Sequence, residues 1–269
     1  MKASVLVNVV LMLLALTCIL PLLLLVTSSF ATETSLMENG YSFWPSQWGL
    51  DAYQYLWHSR GQILTAYKMT ILSTLCGTVL NVSITALLAY PLSRPNLVGR
   101  NVFSFLVFFT LLFNGGMIPS YMMWTQTFHI KDTFWALILP NLLMNGFGVI
   151  VMRTYFVANI PNEIIEAARI DGAGELRTLL EIVLPLSKPI LATIALMSGL
   201  AYWNDWMNGL YYLVKRTDLY TIQNLLNRLI ASAGIRMAIA VIALLPVMLI
   251  YPFLQKGFVK GIVIGGVKG

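Results

Sequence analysis

The chain has 269 residues, of which 58% are hydrophobic and only 10% charged, with a net charge of +6, whereas an ordinary soluble domain is about 25% charged. That composition, with a mean hydropathy of +0.77, excludes a soluble enzyme, a disordered chain and a disulfide scaffold. The cations punctuate long apolar runs instead of clustering on a polar face, which is the pattern of an integral membrane protein and not of a nucleic-acid binder.

Six windows contain no Asp, Glu, Lys or Arg: 3–32, 69–93, 101–130, 133–152, 189–204 and 237–255. All but 189–204 reach the length, about 20 apolar residues, that crosses a bilayer core roughly 30 Å thick, or fall within a residue of it. Leu184 and Leu186 extend the short one, and Lys188 can reach the headgroups from its end. The runs do not alternate as β-barrel strands do. An all-α membrane protein with six transmembrane helices is expected.

The first window follows Lys2, as a secretory signal would, but Val5 to Val26 is longer than a signal core of about 7–15 residues, so it reads as a span, followed by an outer loop to residue 66. Cys18 and Cys76 both fall within spans and are not placed for a structural disulfide. His58 and His129 lie in separate outer loops without further ligands at metal spacing, so no metal site is expected. Pro119, Pro140 and Pro246, in the third, fourth and sixth windows, are expected to kink their helices. No phosphate-binding GxxxxGK[ST] loop and no nucleophile elbow occur; no catalytic residue, nucleotide site or cofactor is expected in this chain. An N-terminus inside puts Lys2, Arg94, Arg100, Arg153, Arg169, Arg177, Lys188, Lys256, Lys260 and Lys268 inside, against Arg60, Lys68, Lys131, Lys215, Arg216, Arg228 and Arg236 outside. That excess follows the positive-inside rule and places both termini in the cytoplasm.

Between the fourth and fifth windows, residues 153–188 are unusually polar. Pro161 suits a first helical turn, Glu163 and Glu166 sit early where the helix dipole favours anions, and Gly172 is placed to end the helix with a left-handed residue. A second helix is predicted from Ala173 to Val183, with Pro185 opening the fifth span. Two readings stand on physics alone: an amphipathic hairpin packing the inner face, or a helix that docks in another protein's groove. Ala167 and Ala168 favour docking, because an interfacial anchor would carry Leu or Trp there.

A pore for a polar solute needs polar groups facing a cavity, since lipid-facing ones are expensive. At the end of the fifth window Trp206 suits an interfacial aromatic belt, whereas Asn204 and Asp205 do not. The run from Phe258 through Gly265, Gly266, Val267, Lys268 and Gly269 is rich in glycine. Such an end can thread a narrow interface or simply fray.

Glu166-Ala167-Ala168, three residues, Gly172, nine residues, Ile182, one residue and Leu184-Pro185 resemble the EAA loop of binding-protein-dependent ABC importers at every fixed position. The chain is similar over nearly its whole length to the MalG-like permease subunits of type I carbohydrate importers, with the shared core at 67–269. The resemblance implies the type I importer permease fold with a cytoplasmic coupling helix, seated in a cleft of a partner ATPase. Glu166 then makes an ion pair there, Ala167 and Ala168 permit close approach, and Asp171 and Gly172 form the turn. The same resemblance implies that Trp203, Asn204 and Asp205, with Tyr121, are pathway candidates. The tail at 257–269 looks like the maltose-importer tail that enters between two ATPase subunits. Asn114-Gly115-Gly116-Met117-Ile118-Pro119 resembles a subgroup handling oligosaccharides, including uronate-containing ones such as alginate and aldouronate fragments; the outer stretch Ile230–Ile235 is shorter than that subgroup's.

The implied partners are a second homologous permease, an ATPase dimer carrying ATP and Mg, an extracytoplasmic solute-binding protein, the oligosaccharide and membrane lipid, but no nucleic acid. The implied location is the cytoplasmic membrane of a bacterium. The alternative is an ion-driven secondary transporter, which predicts ionisable residues within the spans and an internal repeat; the six windows lack acids and bases, and no clear repeat is seen. A membrane subunit that only organises partners is the third reading.

Overall fold

The computed structural model describes residues 2–228 and 233–266. The chain is helical, and the one β pairing among the described residues is an isolated bridge between Ala31 and Trp48. Its helices are α1 (Lys2–Ser29), α2 (Glu33–Asn39), α3 (Asp51–His58), α4 (Arg60–Ser93), α5 (Arg100–Leu112), α6 (Met117–Met122), α7 (Gly146–Asn159), α8 (Asn162–Ile170), α9 (Glu175–Thr178), α10 (Leu184–Leu186), α11 (Lys188–Trp203), α12 (Met207–Tyr212), α13 (Ile222–Arg228) and α14 (Ala233–Gly266). They group into two compact units, Met1–Tyr67 with Ile222–Leu249, and Lys68–Thr221 with Ile250–Gly269.

Three stretches are continuous helices long and apolar enough to cross a bilayer: Leu6–Ser29, Arg60–Ser93 and Ala233–Pro252. Two more pass that test only as bent pairs. Arg100–Leu112 and Met117–Thr127 meet at 112°, and Glu175–Leu186 and Lys188–Trp203 at 86°. Among the described residues, length and composition give three spans, and up to five if each bent pair counts as one, against the six expected.

The sequence windows misjudge the third and fourth spans. In the third, the chain leaves the helix at Phe113 before reaching Pro119; Gly116 takes a φ of 86° and its N–H donates to Asn114 Oδ1 at 2.9 Å. Window 133–152 is not one kinked helix. It holds a single tight turn, Phe134–Leu137, then a non-helical stretch, and α7 begins only at Gly146. Pro140 supplies no N–H and Asn141 sits at φ 62°, so a helix cannot run through them. Asn145 restarts it by accepting from Phe147 N at 2.9 Å.

Non-helical backbone at membrane depth survives only where protein satisfies it. Here three carbonyls are each met by a side chain. Tyr202 donates to Ile138 O at 3.0 Å, Asn208 to Pro140 O at 3.0 Å and Asn81 to Leu142 O at 2.8 Å. Tyr202 is buried, and Gly77 makes room for it: a Cβ at Gly77 would lie 2.4 Å from its ring.

In the first unit, Ala52, Leu56, Ala66, Ile222, Leu225, Ala238, Ile239 and Ala243 form one core. Glu33 accepts from Ala233 N and caps the start of α14, where the dipole favours an anion. Pro246 deprives the carbonyl of Ile242 of its helical donor. Tyr67 supplies the missing one, its hydroxyl donating to Ile242 O at 2.6 Å. The second unit centres on Ala89, Val149, Met152, Phe156, Val183 and Ile194, with a separate aromatic and aliphatic cluster around Leu137, Tyr212 and Leu213.

Candidate functional site

The polar stretch after α7 folds as helix, glycine turn and helix. Pro161 stands at the N-cap of α8, and Glu163 occupies its first turn. At the other end Gly172 adopts φ 81°, Ala173 N donates to Ala168 O at 2.9 Å and Gly172 N to Arg169 O at 3.0 Å. That pair of bonds is a Schellman motif, and it needs a residue that accepts a left-handed backbone without strain.

The second arm differs from the sequence expectation. It runs from Glu175 to Leu186, passing through a π-helical turn at Leu179–Val183, and the long helix α11 begins at Lys188. Pro185 therefore lies inside the arm and does not open the span. A proline within a helix lacks one rung and crowds the preceding turn; the wider π turn just before it gives the needed room. The 86° bend falls at Ser187, between the two helices.

The two faces of α8 are unlike. Ile165 and Ala168 are buried, Ile165 joining Phe156, Ile160, Leu179 and Val183 in the core of this unit. Full burial of such an aliphatic side chain contributes roughly 1.5–3 kcal/mol. Glu163, Ile164, Glu166, Ala167 and Ile170 are exposed, Ile170 at 86%. Asp171 and Gly172 are exposed at the turn. Glu166 and Ala167 thus lie on the free face, whereas Ala168 serves the internal packing and not an outward approach.

Beneath the hairpin lies a polar network with no sequence signal, since its members are far apart in the chain. Tyr90, in the last turn of α4, donates to Glu175 Oε2 at 2.7 Å, and Arg169 Nε donates to Glu175 Oε1 at 3.1 Å. The Tyr90 hydroxyl, and then Arg169, hold the Glu175 carboxyl below the usual carboxylate range. Arg94 is 6% exposed, with its guanidinium carbon 5.1 Å from the centre of the Tyr90 ring. The hairpin turn is thereby tied to the end of a membrane helix.

The pathway candidates have varied surroundings. Trp203 is buried with Nε1 lacking a partner among the described residues, and Asn204 is exposed. Asp205 Oδ1 accepts from Asn208 N at 3.3 Å, capping the start of α12, and burial pushes its carboxyl up to about 6 despite that bond. Tyr121 stacks on Tyr212 at 5.6 Å, in the cluster around Leu213. Near that cluster, Asp132 Oδ1 accepts from the N–H groups of Val214, Lys215 and Arg216. Partial burial raises that carboxyl, but the three donors outweigh it and hold it below the usual range. In the tail, Gly265 and Gly266 close α14, while Val267, Lys268 and Gly269 lie outside the described residues, as do residues 230–232 of the short outer stretch Ile230–Ile235.

Comparison with known proteins places this geometry. The chain is 38% identical to the polygalacturonan/rhamnogalacturonan transport system permease protein YtcP of Bacillus subtilis, covering 96% of each chain. It is 32% identical to the arabinooligosaccharides transport system permease protein AraQ of Halalkalibacterium halodurans, covering 93% of this chain and 91% of that one. The crystal structure of a bacterial ABC transporter involved in the import of the acidic polysaccharide alginate contains a chain with TM-score 0.80 and 28% identity, covering 94% of this chain and 95% of that one. The profile of the binding-protein-dependent transport system inner membrane components matches residues 73–264. Match, helical architecture and EAA hairpin agree, and the chain belongs to that family of transport-system membrane components.

Proposed function

We propose that the chain is the permease subunit of an ATP-driven importer of oligosaccharides, including uronate-containing ones, and that α8 is its coupling helix. In this reading a second permease completes the pore, a solute-binding protein delivers sugar outside, and an ATPase dimer docks inside on Glu163, Glu166 and Ala167. Both termini then face the cytoplasm, with the glycine-rich tail reaching between the ATPase subunits. ATP and Mg on those partners supply the energy, since the sequence carries no phosphate-binding loop of its own.

The observation that carries the reading is the division of labour on α8. Its inner face is fixed by Ile165 and Ala168, its end is locked by the Gly172 turn, and an outer face of Glu163, Glu166 and Ala167, flanked by exposed Ile164 and Ile170, is left for a partner. A helix held so firmly moves as a rigid lever, and the Tyr90–Glu175 bond links that lever to α4. ATP and loaded binding protein bias the transport cycle only if each binds one state better than the other. The acidic-substrate element rests on the names of the relatives, which include polygalacturonan and alginate.

Glu166→Lys tests the docking role. Because Glu166 is exposed, the substitution is expected to change folding stability by no more than about 0.5 kcal/mol. It is expected to abolish co-purification of the ATPase or sugar-stimulated ATP hydrolysis. A stable variant with undiminished coupling removes the role proposed for α8.

A further inference from the structure

Three arginines stand where apolar runs end. Arg94 is the first charge after window 69–93, Arg153 the first after 133–152, and Arg100 immediately precedes 101–130. In a membrane protein such positions lie at headgroup depth, on whichever side they face.

Two of them share one atom. Leu92 O, in the last turn of α4, accepts from Arg153 Nε at 2.9 Å and from Arg100 Nε at 3.1 Å. A cation near a helix C-terminus is favourable, but one is enough to cap a carbonyl. The second brings a like charge beside the first: burial, and then Arg100, lower the proton affinity of Arg153. The ion pairs among the described residues are Arg169–Glu175, Arg177–Glu181 and Arg216–Asp218, so no carboxylate balances Arg100 or Arg153. Both are half-buried and reachable, and both contact the protein through Nε.

We infer that Arg100 and Arg153 form a binding site for the phosphate of an anionic membrane lipid. Two guanidinium forks held side by side match a phosphate's oxygens, and an anion removes the repulsion the protein leaves uncompensated. Lipid is favoured over free phosphate by the neighbouring surface. Val98, Val102, Phe103 and Leu106, beside Arg100, are exposed at 91%, 63%, 50% and 50%, an apolar wall on which acyl chains can lie. The site needs neither the coupling role of α8 nor a particular orientation of the chain.

The test is native mass spectrometry of the detergent-purified protein with its co-purifying subunits, supplied with phosphatidylglycerol, phosphatidylcholine or inorganic phosphate. Wild type is expected to retain phosphatidylglycerol in preference to phosphatidylcholine, and a large excess of inorganic phosphate is expected not to displace it. The Arg100→Gln/Arg153→Gln double variant is expected to lose retention by roughly fivefold per arginine, with Arg177→Gln unchanged. Arg100→Lys/Arg153→Lys keeps the charge and is expected to fall between. Equal lipid retention in wild type and the glutamine double variant overturns the site. Should the glutamine variant not fold, the absence of a phosphatidylglycerol preference in wild type overturns it alone. Displacement by inorganic phosphate, or retention only when the ATPase subunits are stripped away, also overturns the lipid assignment.

Discussion

Tyr90 and Glu175, 85 positions apart in the chain, are joined by a 2.7 Å hydrogen bond that ties the end of a membrane helix to the turn of the hairpin. Tyr90→Phe removes the donor and leaves Arg169 as the carboxylate's partner. The carboxylate is 56% exposed, so water recovers part of the bond, and the expected cost is about 1 kcal/mol, below the roughly 1.5–3 kcal/mol of a shielded bond to a charged group. The Glu175 carboxyl is held down in the fold, so its contribution is full above its unfolded value and fades as the pH falls through the lower folded one. The protection of amides in α8 and α9, taken relative to the intrinsic exchange rate at each pH, is expected to fall on acidification, and Tyr90→Phe is expected to shift that fall to higher pH.

Gly172→Ala forces a side chain onto a left-handed backbone at φ 81°, although no neighbour stands in the way of its Cβ. The expected cost is roughly 1–2 kcal/mol, confined to the turn, with Gly172→Asn milder. Thermal unfolding of the whole protein should shift little while exchange at the amides of positions 172 and 173 rises; equal protection in the alanine variant contradicts the Schellman assignment.

Asp205 titrates at about 6 in the fold because burial raises it from 3.8. A raised carboxyl contributes its stability below the unfolded value and loses it as pH rises through the folded one. Asp205→Asn can still accept from Asn208 N without carrying a charge. The variant is expected to unfold at higher temperature than wild type near neutral pH, and the advantage is expected to vanish below about pH 4.

Two tyrosines each satisfy a carbonyl that its own segment leaves unpaired. Tyr202→Phe strands Ile138 O and Tyr67→Phe strands Ile242 O. Each is expected to lower stability by about 1–3 kcal/mol, the cost of an unmet buried polar group. They act in separate units, so thermal unfolding of the double variant should show the two losses adding. Gly77→Ala should mimic Tyr202→Phe by displacing the ring.

The hairpin was legible in the sequence because its determinants are local. Pro161, Gly172 and the residues between them specify a helix and its stop without help from the rest of the chain. The transmembrane windows were legible as apolar runs, but their breaks were not. A run free of charge says nothing of whether its backbone is paired along the helix or by Asn81, Tyr202 and Asn208, which lie more than 60 positions from the carbonyls they serve. The same distance hid Tyr90 and Arg94 from the reading of the hairpin. Pro185 was misplaced because the π turn that accommodates it has no marker in composition.

The stretch from Ile138 to Leu142 is pinned by three removable props instead of a continuous ladder. A helix in its place would yield only by unzipping rung after rung. This segment can release one side-chain donor at a time, so a shift of α4, α11 or α12 relative to it costs one bond per step instead of a whole ladder.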